Sequence, residues 1–197
     1  MRIDSQWSRA FMALVLLLVT VFSKQGRAEG FERIRPESAL LTSAMMTTAF
    51  ERSATFRWLV ERIEESDVIV HLTCGRFKSG TLAGQTSLGS AGPAIRYVRV
   101  QVLCELSQPA LAGILAHELQ HVVEIASTPS VADNKSFARL FSTIGFSTCL
   151  SLGREQFETS AAMAAGERVR SEFIHSSESG VQASHRFAGP VDRRSGD

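Results

Sequence analysis

The sequence predicts one α+β domain: a small, mainly antiparallel sheet packed on a buried helix and on a second helix downstream of it, with two further helices ahead of the sheet. Three stretches carry that expectation. Residues 111–126, LAGILAHELQHVVEIA, are apolar at helical spacing, with Leu111, Ile114, Leu115, Val122 and Ile125 set to be buried and Gly113 and Ala116 leaving room for close neighbours. Residues 96–104, RYVRVQVLC, alternate: Tyr97, Arg99 and Gln101 fall on one face and Val98, Val100 and Val102 on the other, as in a strand with one wet and one buried face. Residues 36–65 carry helical periodicity in two pieces. A chain of 197 residues with 44% hydrophobic residues fits one domain with a sizeable core.

The first 28 residues are set apart from that domain. Arg2 and Arg9 precede an apolar run from Ala10 to Phe22, and Ser-Lys-Gln-Gly-Arg-Ala follows, which is the order of a secretory signal peptide. Gly26 and Ala28 place small residues before a cut between Ala28 and Glu29. The run is shorter than the roughly 20 residues of a membrane span. The expected product is therefore a periplasmic or extracellular domain, 29–175, with no stable span, whereas an uncut leader would act as an amino-terminal anchor. No cysteine lies at the cut, so no lipid anchor is expected. The formal net charge is +1, with neither a basic field for nucleic acid nor an acidic tail. Export gives meaning to Cys74, Cys104 and Cys149: one pair can bridge and leave one thiol. Cys74 and Cys104 each close a predicted strand, which favours them, although the residues alone do not choose the pair.

Element by element, the first helix is expected from Pro36 to Phe50. The second runs from Ala54 to Glu65, with Ser53 as N-cap and Phe56, Leu59, Val60 and Ile63 on one face. DVIVHLTCG from Asp67 is β-branched and ended by glycine, a strand. A Gly/Ser-punctuated stretch holds a second strand around Thr81 to Leu88, and Arg96 to Cys104 forms the third. Ser107 is the expected N-cap of the buried helix, Pro109 fits its first turn, and Ser127-Thr128-Pro129 stops it. After a loop over 129–136, SFARLFSTIGF predicts a short helix closed near Gly145. A final helix is expected from Arg154 to about Ile174, with Phe157, Ala161, Ala164 and Ala165 on a small-residue packing face. Residues 176–197, rich in Ser, Gly and Arg, are expected to be a disordered tail.

The chemistry sits in the buried helix. His117 and His121 in HELQH lie four residues apart, so at about 3.6 residues per turn both imidazoles share a face and can reach one ion. Glu118 adjoins the first histidine, where a general base for water would stand. Core histidines satisfied by hydrogen bonds are the plainer reading, but burying two imidazoles and a carboxylate together without a partner is costly.

A catalytic zinc site takes three protein ligands and leaves a fourth position open. Glu158, in FETSAAMAAGE, is the favoured third: the alanines around it let its backbone come close to a facing helix, although a solvated surface charge is the alternative. Glu124 shares the histidine face, but three ligands along one straight helix spread over about 10 Å at 1.5 Å per residue and do not converge. Glu124 fits better as a carboxylate that accepts the other ring N–H of a histidine and fixes its tautomer, with a surface carboxylate as the equal alternative. Cys74 is a further candidate, since an upstream cysteine completes the site in peptide deformylases, but its flanks, LTCGR, do not match that family. His71 reads as a strand histidine, and His175 and His185 lie in or beside the tail.

HELQH followed by a helix bearing FETSAA resembles the zincin metallopeptidases, in particular the glutamate-zincin branch, whose third ligand is a glutamate from a later helix. The resemblance spans Arg96 to about Arg170. It implies a minimal zincin-like domain holding one zinc ion through His117, His121 and Glu158, with Glu118 as general base. Branch members carry an orienting aspartate four residues after that glutamate. Here the position is Ala162, so orientation must come from elsewhere, from Glu124 or a backbone carbonyl. The SDVIV strand, the HELQH helix and FETSAA also resemble a group of small exported bacterial proteins. The implied activity is zinc-dependent hydrolysis of a peptide or protein substrate by activated water. By the same resemblance, residues 96–104 would bind extended substrate by strand pairing, and Tyr97 would stabilise an oxyanion if it is not simply a packed strand aromatic. Two other readings fit the same residues: a metal-stabilised binding protein without turnover, and a hydrolase of a non-peptide amide.

Overall fold

A computed structural model describes residues 31–78, 82–92, 94–149 and 155–187. The leader and residues 188–197 lie outside them. The architecture is α+β. Strand β1 (Ile34–Pro36) leads into a π-helical segment (Leu40–Met46), α1 (Thr47–Arg52) and α2 (Ala54–Glu64). Then come β2 (Val68–Cys74), β3 (Gly84–Ala91), β4 (Arg96–Val102) and α3 (Gln108–Ala126). The chain continues through α4 (Asn134–Ile144), a hairpin of β5 (Phe146–Cys149) and β6 (Glu155–Glu158), and α5 (Ser160–Phe187). Among the described residues no helix is long and apolar enough to cross a membrane.

The four-stranded sheet has the order β1-β2-β4-β3 and is mixed, not mainly antiparallel. β2 runs parallel to both β1 and β4, and only β3 runs antiparallel to β4. Alternation along β4 reports which face is buried, and it does so correctly: Val98, Val100 and Val102 are buried and Arg99 is exposed. It carries no information on strand direction, which is set by the helical crossover between β1 and β2 and by a chain that leaves β2 for the sheet edge before returning. One consequence corrects an expectation about β4. With β2 on one side and β3 on the other, β4 has no free edge and cannot add a substrate strand. Among the described residues the edge strands of this sheet are β1 and β3.

Local signals place several elements where the sequence predicts them. Ser53 caps α2, accepting from the Phe56 amide at 2.9 Å, and Phe56, Leu59, Val60 and Ile63 are buried. Its hydroxyl and the Thr55 amide and hydroxyl donate to Glu172 of α5 at 2.5, 3.1 and 2.7 Å, which ties α5 to the start of α2. Pro109 stands in the first turn of α3, but Ser107 makes no side-chain cap. Asp133 and Ser136 form a reciprocal capping box on α4. The first helix begins at Leu40 rather than Pro36, because Pro36 belongs to β1. The final helix begins at Ser160 and runs on to Phe187, past the expected end near Ile174. Cys74 and Cys104 are bridged, their Cα atoms 5.5 Å apart, which joins the end of β2 to the turn after β4.

The core lies between the sheet and α2, α3 and α5. Burial of a large aliphatic side chain contributes about 1.5–3 kcal/mol, and α3 supplies Leu111, Leu115, Leu119, Val122 and Ile125, all nearly inaccessible. The C-terminal end of α3 is latched by a buried arginine from the start of β4. Arg96, 3% exposed, donates to the carbonyls of Ile125 (2.7 Å), Thr128 (2.9 Å) and Ala126 (3.2 Å). Its other side forms a fork on Asp67, at 2.8 and 2.6 Å. A guanidinium at a helix C-terminus satisfies orphan carbonyls and complements the dipole together.

Two outcomes follow at this latch. Arg96→Met should lower unfolding stability in urea by about 3 kcal/mol, since three carbonyls and a carboxylate lose their donor, and Arg96→Lys should recover only part of it because an ammonium lacks the fork. The hydrogen bond from Arg96 holds the Asp67 carboxyl below its ordinary range, against the opposing effect of burial. A depressed folded-state pKa contributes stability above the unfolded value of about 3.9 and loses it as pH falls through the folded value. The stability gap between wild type and Asp67→Asn, measured by denaturant titration, should therefore be present at neutral pH and close as acidity rises below that range.

Candidate metal centre

His117 and His121 project from α3 one turn apart, their rings 5.0 Å between centroids and nearly perpendicular. Glu158 meets them from the other side. Its Oε2 lies 2.8 Å from His117 Nε2 and 4.0 Å from His121 Nε2. The three potential ligand atoms all fall within 4.8 Å of one another, and ligands at 2.0–2.2 Å from a tetrahedral ion stand about 3.4 Å apart. These side chains could therefore hold one metal ion. Glu158 comes from the last residue of β6, not from the final helix as the sequence suggests. Small-residue periodicity from Phe157 onward resembles a helix, but residues 155–158 pair with β5, a contact the local sequence does not announce. Thr159 then caps α5, its hydroxyl accepting from the Ala162 amide at 3.1 Å.

The approach of Glu158 depends on two glycines. A Cβ on Gly113 of α3 would stand 3.0 Å from the Gly166 carbonyl, and one on Gly166 of α5 would stand 2.9 Å from the Gly113 carbonyl and 3.2 Å from His117 Cβ. Only glycine at both positions allows the backbones this close. Gly145 acts likewise at the turn into β5, where a Cβ would meet the Glu158 carbonyl at 2.5 Å.

The hydrogen bonding fits an ion better than a closed polar cluster. Glu158 Oε2 is buried and, although at hydrogen-bonding distance from His117, has no donor aimed at it. A buried carboxylate oxygen without a donor, beside two imidazole nitrogens, suits a bound cation. His121 Nδ1 lies 2.9 Å from Glu124 Oε2. A carboxylate oxygen accepts, so this contact suits a proton on Nδ1 and leaves Nε2 on the side of Glu158. Glu124 is itself held by the Thr159 hydroxyl at 2.7 Å. Glu124 thus stands where an orienting carboxylate is needed, while Ala162 is wholly buried against α3.

Charge in the cluster is biased toward a cation. Burial alone would lower the His117 pKa, but Glu158 beside it and the charges of Glu118 and Glu124 outweigh burial and raise it. Glu158 shows the reverse: burial pushes its pKa up, and contact with His117 together with the charge of His121 brings it below the ordinary range.

Glu118 is buried, and burial raises its pKa against the Thr86 hydrogen bond and both histidines. Thr86 of β3 donates to Glu118 Oε2 at 2.7 Å and lies 3.3 Å from its carbonyl oxygen. Gly84 leaves the space that Oε1 occupies, since a Cβ there would stand 2.3 Å from it. Neither residue is marked in the sequence, because the contact joins positions some thirty residues apart on different elements. Thr159 is the exception: a threonine ahead of Ser-Ala-Ala is a readable N-cap.

The remaining candidates lie elsewhere. Tyr97 stacks on His71, 5.9 Å between ring centroids, on the sheet face away from α3, whereas Thr86 pairs with Val100 and shares the inner face. Cys74 is in a disulfide and so cannot ligate. His175 sits on the exposed side of α5 against the Ser171 carbonyl, and the side chain of His185 lies outside the described residues. Comparison of the chain with protein-family models, curated proteins and solved structures finds no match.

Two substitutions test the construction. If the three side chains hold an ion, Glu124→Ala should weaken binding of an added divalent metal about 10–100-fold in chelator competition while leaving the fold intact, because His121 loses its acceptor. Gly166→Val should cost about 1–3 kcal/mol in stability and weaken any binding of an added divalent metal as well, since it drives α5 away from α3.

Proposed function

We propose that this protein is an exported zinc-dependent peptidase that cleaves peptide or protein substrates with water as the nucleophile. The observation that carries this reading is the convergence of His117, His121 and Glu158 beside a separately held carboxylate, Glu118, in a cleft along the free edge of β3. Three ligands leave one position open, the arrangement of catalytic rather than structural zinc. An ion held there would supply Lewis acidity at that open position.

The protein's own groups account for the proton and the substrate. Glu118 takes the proton from the attacking water and passes it to the departing amine. Oε2 accepts from Thr86, which leaves Oε1, on the Gly84 side, as the oxygen free to carry that proton. The raised pKa of Glu118 makes its carboxylate more basic than an exposed one, as this role requires. β3 offers unpaired backbone N–H and C=O groups with which an extended peptide can pair. The Phe-lined cleft beside His121 limits access of bulk water to the reacting groups.

Two observations support export: the leader pattern of residues 1–28, and the Cys74–Cys104 bridge, which suits an oxidising compartment. With that leader removed, the proposed mature domain begins at Glu29.

Glu118→Gln should keep one zinc per chain by metal analysis and lose cleavage of a casein or peptide substrate by at least about 10²-fold. Glu158→Ala should lose zinc and activity together. Retained hydrolysis in Glu118→Gln would refute the assignment of the base, and absence of zinc-dependent hydrolysis in the wild type across casein, peptidoglycan fragments and formyl-peptides would refute the activity.

A further inference from the structure

The face of the four-stranded sheet turned away from α3 carries a row of basic side chains that neither the core nor the metal centre uses. Strand register sets it. Arg35 of β1 lies opposite His71 of β2, and His71 lies opposite Arg99 of β4. Their chain neighbours Ile34, Val70, Leu72, Val98 and Val100 are buried in the core, so by alternation these three leave the sheet on the outer face. Arg35 and Arg99 are exposed and His71 is half-buried. Among the described residues neither arginine makes an ion pair or a side-chain hydrogen bond, and Glu37, the nearest carboxylate along the chain to Arg35, does not pair with it. Other arginines around the sheet are matched: Arg33 donates to the Glu64 carbonyl, Arg76 pairs with Glu105 and Arg96 with Asp67. Basic groups set opposite one another across strands cost a sheet stability unless an anion joins them.

Geometry narrows the anion. Adjacent strands lie about 4.8 Å apart, so the Arg35 and Arg99 backbones stand about 10 Å apart with His71 midway. Two long side chains leaning over His71 can close on one group between them. The imidazole is braced by Tyr97, which stacks on it with 5.9 Å between ring centroids and 27° between planes. Each guanidinium offers a flat fork of donors, and a carboxylate has a single edge with which to meet one fork. Two forks converging from opposite sides, with an imidazole N–H between them, call for an anion that has three or more outward oxygens and nearly two negative charges. A phosphate group has both.

We infer that Arg35, His71 and Arg99 form a binding site for a phosphate group, carried as free phosphate or as the terminal phosphate of a small ester, on the sheet face opposite the metal centre. The site shares no residue with the proposed peptidase machinery. It therefore stands or falls apart from that reading.

The test titrates the full chain with inorganic phosphate and with glycerol phosphate by calorimetry, at an ionic strength held constant with sodium chloride so that screening is the same throughout. Saturable binding with one site per chain is expected. Arg35→Gln and Arg99→Gln should each weaken it by about tenfold or more, and the double variant should abolish it. His71→Phe keeps a ring against Tyr97 but removes the donor, and should weaken binding several-fold. Because both arginines are exposed, their variants should keep the wild-type Tm in chloride, whereas phosphate should raise the Tm of the wild type alone. Acetate should bind at least about tenfold more weakly than phosphate. Glycerol phosphate binding as well as inorganic phosphate assigns the site to a phosphate ester, and binding of inorganic phosphate alone assigns it to the free ion; either upholds the site. No saturable binding, binding unmoved by both arginine substitutions, or acetate binding equal to that of phosphate would overturn it. A glutamate-rich peptide that binds through the same arginines more tightly than phosphate would also overturn it, and would give the face to an acidic protein partner.

Discussion

The crossing of α3 and α5 at Gly113 and Gly166 is the contact on which the candidate centre depends. Each glycine presents bare backbone to the other's carbonyl, and a Cβ at either would lie at or inside the limit of ordinary contact. That spacing fixes how near the start of α5 comes to the histidine face of α3. Glu158 is the residue just before that start, with only the cap Thr159 between it and the helix, so the helix crossing sets the position of the carboxylate directly. Thr159 performs two tasks at the junction: it terminates α5 and holds Glu124, which in turn orients His121. The packing of two helices and the aim of two of the three proposed ligands are therefore one arrangement.

Buried charge explains the rest of the design. Glu118, Glu124 and Glu158 gather around two imidazoles, an excess of negative charge that is costly in a partly buried site unless a cation joins it. The protein meets part of that cost with neutral donors: Thr86 to Glu118 and Thr159 to Glu124. Glu158 Oε2 is the oxygen left without one. Immediately beyond Glu124, the same helix ends on Arg96, whose guanidinium collects three carbonyls and Asp67. Two parts of α3 are thus held by different chemistry, the stretch from Gly113 to His117 by the glycine crossing and the C-terminus by a buried cation.

Much of the centre was legible in the chain because its signals are local. The four-residue spacing of His117 and His121 on an apolar helix is a short-range pattern, as are the Ser53 cap and the alternation of β4. Axial distance alone separated Glu124 from the ligand role but left it open between a partner of a histidine and a surface carboxylate, and the structure places it against His121 Nδ1. The nonlocal features were not legible. Residues 155–158 carry a helix-like pattern yet pair with β5, so Glu158 is delivered by a strand end. β2 and β4 are parallel because the chain visits the sheet edge between them, a matter of path rather than of residue pattern. Strand alternation turns Tyr97, the chain's single tyrosine, to the outer face, where it stacks on His71.

What the sequence determined by itself was the helix, its histidine pair with the adjoining glutamate, and the small residues that permit close packing, since each is a property of neighbours along the chain. Only the tertiary structure decided that Gly113 meets Gly166, that Thr86 of β3 holds Glu118, that Arg96 closes α3, and that β3 rather than β4 keeps an open edge. Those are contacts between elements brought together by burial of a shared core, and burial specifies which faces meet without recording the partner in either segment.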